Sequence, residues 1–448
     1  MSAPPGVPAP PASTDPAGQR VTVVGLGRFG GGLGVTRWLC EQGARVTVSD
    51  KAPAEELAES VRLLEGLDVS LHLGAHDERD FTEADLLVVS PAVPPHAPPL
   101  KLASAAGVPR TTEINLFLWR CPAPVVGITG TVGKSTTTAM IGEVLSRRMP
   151  THVGGNIGRS LLGDLPRIAP DHAVVLELSS FQLEALPEVA RSPHVALVTN
   201  FAPNHLDRHV TAAAYADAKK NLFRFQQPGD VLILNAADAP TAAWAAEAPE
   251  GVRVEHFDPA AEPFELAVVG AHNQANAQAA WAVARQFGID RDTGASALAG
   301  FPGLPHRLQF VAERGGVRYY NDSKCTTPEG AVVALASFPP RTAVFIVGGY
   351  DKGVGFDELG AALAERAKAV IALGATAERI LLAVDVHRAG TDPPTARAAD
   401  LSAAVRLAAA HAGPGDAVAL SPACASYDQF VNYEQRGAEF VRFVEETP

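Results

Sequence analysis

The residues best equipped for chemistry lie in the run Gly127-Ile-Thr-Gly130-Thr131-Val-Gly133-Lys134-Ser135-Thr136. It follows an apolar strand and precedes a helix-compatible stretch, so it reads as a phosphate loop in its proper setting. Backbone N–H groups would surround phosphate oxygens, Lys134 would add a point charge, and Ser135 could bind Mg²⁺. The usual spacing would put the first glycine at position 128, where this chain has isoleucine, so the loop belongs to a variant class. ATP is the ligand it points to. Glu177 ends the run AVVLE. A carboxylate there can coordinate Mg²⁺ directly or through water, or can serve as the acid or cap partner of a helix N-terminus.

Thr199-Asn-Phe-Ala-Pro-Asn204-His205-Leu-Asp207-Arg-His209 follows, then Tyr215-Ala-Asp-Ala-Lys219-Lys220. His205, Asp207 and His209 at alternate positions could bind a transition metal, although the helical zinc spacing H-E-x-x-H is absent. The alternative is a polar loop capped into a helix with both lysines solvated. Nearer the N-terminus, Gly25-Leu-Gly27-Arg28-Phe29-Gly30 with Asp50 fits G-x-G-x-x-G plus an acid. Its glycines let backbone approach a phosphate, and its carboxylate can accept from a ribose hydroxyl. A nicotinamide dinucleotide, a uridine or other nucleotide, and a purely structural tight turn all remain open. Gly31 and Gly32 lengthen the turn.

Three late segments carry lysines and hydroxyls after strand-like runs: Asn321-Asp322-Ser-Lys324-Cys-Thr326, Gly348-Gly-Tyr-Asp351-Lys352-Gly353, and Leu420 through Ser426 and Tyr433 to Gly437. Together they make a carboxylate or phosphate receptor; taken singly, each fits a helix cap or a surface lysine.

The elements that must position these groups follow from pattern. Short β-branched runs (VTVVG, RVTVSD, DLLVVS, PVVGITG, HAVVLELSS, HVALVTN, RYYNDSK, AVFIVGG, AVIALGA, AVALSPA) alternate with helical stretches, the signature of doubly wound α/β units with ligands beyond the strand ends. An Ala-rich amphipathic helix is expected over Asn273–Phe287, and Phe301–Leu308, with two prolines and a glycine, forms a hinge. At roughly 150 residues per domain, 448 residues make about three. The boundaries expected are a disordered tail over 1–18, then domains over 19–112, 113–304 and 305–448. Lys and Arg number 37 against 49 Asp and Glu, a net charge of −12 that argues against nucleic-acid binding. With 47% hydrophobic residues, widespread disorder is excluded. The four cysteines lack CxxC spacing and are expected as free thiols, and no apolar run is long enough to span a bilayer. No signal-like stretch opens the chain, and a cytoplasmic location is expected.

The set resembles the Mur ligases, the ATP-dependent amide ligases of peptidoglycan precursor synthesis. TGTVGKST resembles their phosphate loop, VLELSSFQLE their magnesium-binding strand, and NHLDRH with YADAK their second metal site. LPHRL, NDSKCT, GGYDKG and SPACASYDQFVNYEQRG are similar to the D-glutamate-adding branch, and no DNPR-type motif is present. The resemblance spans about Val21 to the end. It implies an α/β fold of three domains in series: a Rossmann-like uridine-nucleotide domain, a central ATPase domain and a Rossmann-like amino-acid domain. It further implies a cytoplasmic monomer in cell-wall biogenesis, hence in cell shape and division. The small-molecule substrates implied are UDP-N-acetylmuramoyl-L-alanine, D-glutamate and ATP, joined through an acyl phosphate.

By the same resemblance, Ser135 and Glu177 belong to one Mg²⁺, and His205 with a carbamylated Lys219 to a second. Gly130, Thr131, Gly133, Lys134, Ser135, Thr136, Asn276, Arg307 and Asp322 would hold ATP. Gly27, Arg28, Phe29 and Asp50 would hold the uridine nucleotide, and Asn156 and Ser179 the muramoyl-alanine part. Lys324, Thr326, Lys352, Ser426 and the backbone at Tyr433 would receive D-glutamate. Lys134, Glu177, His205 and Lys219 form the implied catalytic set. Of the adjacent lysines only one can face a metal, since neighbours on a helix diverge by about 100°; the family pattern Tyr-x-x-x-Lys selects Lys219 and leaves Lys220 solvated. Two departures stand out: Val132 where most members have asparagine, and the lengthened turn after Gly27. Other Mur-type or folylpolyglutamate-type ligases share the ATPase centre, and a nucleotide-binding sensor without turnover is the alternative from another class.

Overall fold

A computed structural model describes residues 15–27 and 30–446. The expected tail over 1–18 lies outside the described residues up to position 14, as do Arg28 and Phe29. At Gly18 the backbone N–H already donates to Gly43 O at 2.9 Å. Two compact units divide the chain: one runs to Glu262 and includes Ala275–Gly294, the other holds Pro263–Gln274 and everything from Ala295.

The first unit contains two parallel sheets. β1 (Arg20–Val24), β2 (Arg45–Asp50), β3 (Val69–Leu73), β4 (Leu86–Val89) and β5 (Arg110–Thr111) lie in the order β3-β2-β1-β4-β5. β6 (Val125–Thr129), β7 (Thr151–Gly155), β8 (Ala173–Glu177), β9 (Val195–Val198), β10 (Val231–Asn235) and β11 (Arg253–Phe257) lie in the order β11-β10-β9-β6-β8-β7. The central strands are apolar throughout because helices cover both faces. In each sheet the strand order reverses beside the strand that carries a glycine motif, β1 or β6, and that is where an open α/β sheet offers a crevice. One continuous core joins the two sheets, from Val21 and Val48 through Phe117 and Leu162 to Leu176 and Leu222.

The second unit has one sheet: β12 (Gln309–Arg314), β13 (Val317–Asn321), β14 (Ala343–Val347), β15 (Ala369–Ala372), β16 (Thr395–Arg397) and β17 (Ala417–Leu420), in the order β12-β13-β17-β14-β15-β16. β12 pairs antiparallel with β13, an edge strand the sequence reading did not include. Apolar clusters cover both faces. The Ala-rich helix spans Ala271–Ala284; the expected last turn, Arg285–Phe287, tightens to 3₁₀ before Gly288 at φ 68°. Cys40, Cys121, Cys325 and Cys424 are free thiols. Among the described residues, no helix is long and apolar enough to cross a membrane.

Candidate active site

The phosphate loop links β6 to the helix Lys134–Ser146. Its turn depends on Gly133, which caps that helix at φ 84° and where a Cβ would come within 2.5 Å of Asn276 Oδ1. Asn276 thus lies against the loop and accepts from Thr137 Oγ1 at 3.1 Å. Lys134 Nζ donates to the carbonyls of Gly130 and Thr131, both at 3.0 Å. Ser135 and Thr136 open the helix, with the helix N-terminus favouring anions at the loop. Val132 is 65% exposed.

Glu177 ends β8, paired in register with Ile128 of β6. Its side chain is buried; Oε1 accepts from Asn156 Nδ2 at 2.7 Å, while the equally buried Oε2 has no hydrogen-bond partner. A buried carboxylate oxygen left without a donor is costly, and a hard cation satisfies it. The donor set therefore fits Mg²⁺. Asn156 in turn lines a cavity of about 390 Å³ together with Gly27, Gly32, Glu113, Ser160 and Ser179. Ser179 is engaged as the N-cap of the turn Ser180–Leu183: its hydroxyl accepts from Gln182 N–H at 3.2 Å, and the Gln182 amide reaches back to Ser179 N–H at 3.0 Å.

Asp50 is turned onto the backbone of the glycine motif. Its Oδ2 accepts from Leu26 N–H at 2.8 Å and Gly27 N–H at 3.2 Å, and its Oδ1 from Ala52 N–H at 2.9 Å, so it shapes the glycine turn. Of the two extra glycines only Gly32 has a steric reason: a Cβ there would sit 2.2 Å from Leu26 O, where the first helix meets that turn, whereas one on Gly31 would meet nothing within 4 Å.

The two lysines after Tyr215 part as their helical register requires. Lys219 is buried; Nζ donates to Gly130 O at 2.7 Å and stands 4.5 Å from the Tyr215 ring centre. Burial, with the Lys134 charge nearby, lowers its pKa to about 7. Lys220 turns away but is not simply solvated: it pairs with Glu247 and stands 5.4 Å above Trp244. His205 is exposed, its ring 6.0 Å from that of Tyr215 and 5.0 Å from that of Phe181. His209 does not join it. It is buried, with Nε2 3.0 Å from Ser180 Oγ and Nδ1 3.2 Å from Glu184 Oε1. Among the described residues, no group of three or more His, Cys, Asp and Glu could hold a metal, and the Asp207 side chain lies outside them.

In the second unit the three late segments follow β13, β14 and β17, and they are hydrogen-bonded together. Asp322 is buried; Oδ1 accepts from Leu308 N–H at 3.1 Å and Oδ2 from Ser421 Oγ at 2.8 Å. Burial holds its pKa up to about 6 despite those bonds and nearby Arg307. Tyr350 N–H donates to Ala425 O at 2.9 Å, tying the Lys352 loop to the Ser426 segment. Lys324 and Lys352 are exposed, Thr326 is half-buried and Ser426 is buried. The Lys324 ammonium stands 5.6 Å from the Tyr433 ring, and Tyr433 opens the helix Tyr433–Glu445. Ammonium groups, hydroxyls and a helix N-terminus on one unit suit a ligand with more than one carboxylate.

Three stretches of the chain match family descriptions: "Mur ligase MurD-like, N-terminal domain" over 19–111, "Mur ligase middle domain" over 128–262, and "Mur ligase, glutamate ligase domain" over 306–424. A UDP-N-acetylmuramoylalanine--D-glutamate ligase of Symbiobacterium thermophilum is 41% identical, covering 95% of this chain and 98% of the relative. One of Anaeromyxobacter dehalogenans is also 41% identical, over 97% and 99%. The chain belongs to the Mur ligase family. Two solved Mur ligases share its fold. The UDP-N-acetylmuramate-alanine ligase of Thermotoga maritima gives a TM-score of 0.58 at 19% identity, over 96% of this chain and 100% of that one. A UDP-N-acetylmuramoyl-L-alanyl-D-glutamate--2,6-diaminopimelate ligase gives 0.60 at 19%, over 84% and 95%.

Three residues of this Mur ligase escaped the sequence reading. Glu113 lines the cavity, Asn200 grips the phosphate loop, and Arg436 is a buried cation. Arg436 donates through Nε to Ser323 Oγ at 2.9 Å, through Nη1 to the carbonyls of Cys424 at 3.0 Å and Ala425 at 3.2 Å, and through Nη2 to Ser323 O at 2.8 Å. The one available signal for Arg436 was a lone arginine amid the polar run YEQRG.

Proposed function

We propose that this Mur ligase adds D-glutamate to UDP-N-acetylmuramoyl-L-alanine, cleaving ATP to ADP and phosphate. The observation that carries the reading is the Asn156–Glu177 hydrogen bond. Glu177 stands at the end of the strand beside β6, whose own end begins the phosphate loop, and Asn156 lines the cavity. A nucleotide's terminal phosphate and the carboxylate of a cavity-bound substrate would therefore meet at one place. The relatives' names support D-glutamate as the second substrate.

In the first step a carboxylate oxygen of the UDP-linked L-alanine attacks the γ-phosphorus, forming an acyl phosphate and releasing ADP. In the second, the D-glutamate amine attacks the acyl carbon. The tetrahedral intermediate then expels phosphate and loses the amine proton, leaving the amide. Positioning and charge neutralisation supply most of the catalysis of phosphoryl transfer. Lys134 contributes a fixed positive charge, while Gly130, Thr131, Gly133, Ser135 and Thr136 shape the phosphate cradle and Asn276 buttresses it. Two Mg²⁺ ions, when bound, would neutralise the phosphate and carboxylate oxygens, one held by Ser135 and Glu177, the other by His205 and carbamylated Lys219. Arg307 and Asp322 complete ATP binding. Lys324, Thr326, Lys352, Ser426 and the backbone at Tyr433 take the two carboxylates of D-glutamate. Gly27 and Asp50 shape the uridine end, and Asn156 and Ser179 orient the muramoyl-alanine end. Domains over 19–112, 113–304 and 305–448, a monomeric state and a cytoplasmic location belong to the same reading.

Phosphate release tests it. Turnover is expected only with ATP, UDP-N-acetylmuramoyl-L-alanine and D-glutamate together. Equal turnover with diaminopimelate, lysine or a folate would overturn the substrate assignment, and nucleotide binding without any turnover would favour a sensor.

A further inference from the structure

The tip of the phosphate loop is held from outside by the segment that follows β9. Asn200 Oδ1 accepts from Val132 N–H at 3.0 Å, and Asn200 Nδ2 donates to Val132 O at 3.0 Å. One side-chain amide thus brackets both polar groups of a single residue, as a neighbouring β-strand would. Thr131 N–H donates to Asn200 O at 3.1 Å, and Thr199 Oγ1 donates to Val132 O at 2.7 Å. Thr131 Oγ1 donates to Ala202 O at 2.9 Å and accepts from Ala202 N–H at 3.0 Å.

The gripping segment is itself anchored from behind. Asn235 Nδ2 donates to Thr199 O at 2.8 Å, and Phe201 N–H donates to Asp238 Oδ2 at 3.2 Å. His205 lies five residues beyond Asn200 on the same chain segment. The grip therefore sets two pieces of the proposed ATP site against each other: the loop that would cradle phosphates and the segment that bears His205. It also accounts for Val132. Position 132 is held through its backbone, and its side chain points outward, 65% exposed, so the loop does not need a hydrogen-bonding side chain there.

We infer that Asn200 is a positioning residue for phosphoryl transfer, fixing the phosphate loop in the conformation that binds the nucleotide and in register with His205. The inference rests on the ATP site proposed above. Asn200 is half-buried and outside the apolar core, so its replacement should leave the fold intact.

The experiment compares wild type, Asn200→Ala and Asn200→Asp in the full chain. ADP affinity is measured by calorimetry with EDTA and with Mg²⁺, steady-state kinetics give KM and kcat, and thermal unfolding monitors the fold. Asn200→Ala should weaken ADP binding with EDTA and raise KM for ATP by about tenfold, the scale of two lost hydrogen bonds. It should leave KM for the UDP-linked substrate within about twofold. Asn200→Asp keeps the acceptor for Val132 N–H but sets a negative charge against Val132 O and the nucleotide, so its loss should be at least as large. If both variants bind ADP and use ATP within about twofold of wild type, the inference is wrong. A fall in active fraction and melting temperature with unchanged ADP affinity would also overturn it, since that marks a merely structural role. Wild-type protein that binds no adenine nucleotide would instead overturn the reading of the loop as an ATP site.

Discussion

The Ser160 hydroxyl donates to the Glu113 carboxyl at 2.6 Å, on the wall of the cavity shared by the glycine turn after β1 and the loop after β7. Burial is the larger influence on this acid and raises its pKa to about 7, with the Ser160 hydrogen bond pulling the other way. A polyanionic substrate entering the cavity thus meets a carboxyl that readily stays neutral.

The pH dependence of stability follows. The ordinary value for this group is 4.5, so between 4.5 and about 7 the folded chain holds a proton that the unfolded chain has released. Glu113 therefore opposes folding increasingly as pH rises through that window, and constantly above it. Glu113→Gln is neutral throughout. It should melt higher than wild type at pH 8 and lose that advantage by pH 4; an advantage independent of pH would refute the assignment.

Lys134→Ala should abolish turnover, because removing a charge aimed at the transferring phosphoryl typically costs about 10²–10³ in rate or more. Activity within a few-fold of wild type would mean the loop is not catalytic. Val132→Asn should be neutral or modestly favourable to ATP binding, since the outward side chain holds nothing; a large loss would contradict the backbone grip by Asn200.

Lys219→Ala should be inactive and partly restored by acetate or formate, whose oxygens can replace those of a carbamate. Lys220→Ala should turn over near wild type and lose only the contacts to Glu247 and Trp244. The reverse pattern would show that the wrong lysine has been assigned to the metal.

Arg436→Lys keeps the charge but cannot reproduce a fork that reaches Ser323, Cys424 and Ala425 at once. KM for D-glutamate should rise about tenfold while ADP affinity stays unchanged, as steady-state kinetics and calorimetry would record. Equal losses for both ligands would place Arg436 outside the amino-acid receptor.

The fold was legible where burial is two-sided. β1, β6, β8 and β14 are continuous apolar runs ended by glycine or a polar residue, and such runs announce parallel strands. β12 was not legible: QFVAER holds only three apolar residues in a row before two charged ones and is nowhere fully buried, and its antiparallel pairing with β13 is long-range information that no local pattern carries. The site divides the same way. Lys134 and Glu177 sit where motif and strand end coincide. Asp50 fitted the fingerprint, but its role depends on which atoms reach it, and Leu26 and Gly27 amides do so first. Glu113, Asn200 and Arg436 are single polar residues whose importance comes from partners 47, 68 and 113 positions away.

The uninterrupted core beneath the first two sheets also bears on how such chains can be recombined. Leu116 and Phe117, just past position 112, are fully buried in the same cluster as Val21 and Val48. A cut at that point would bare apolar surface on both fragments, so the first 112 residues are no interchangeable cassette. A graft that exchanges the nucleotide-recognition end would have to carry the neighbouring sheet along with it, or repack the whole seam.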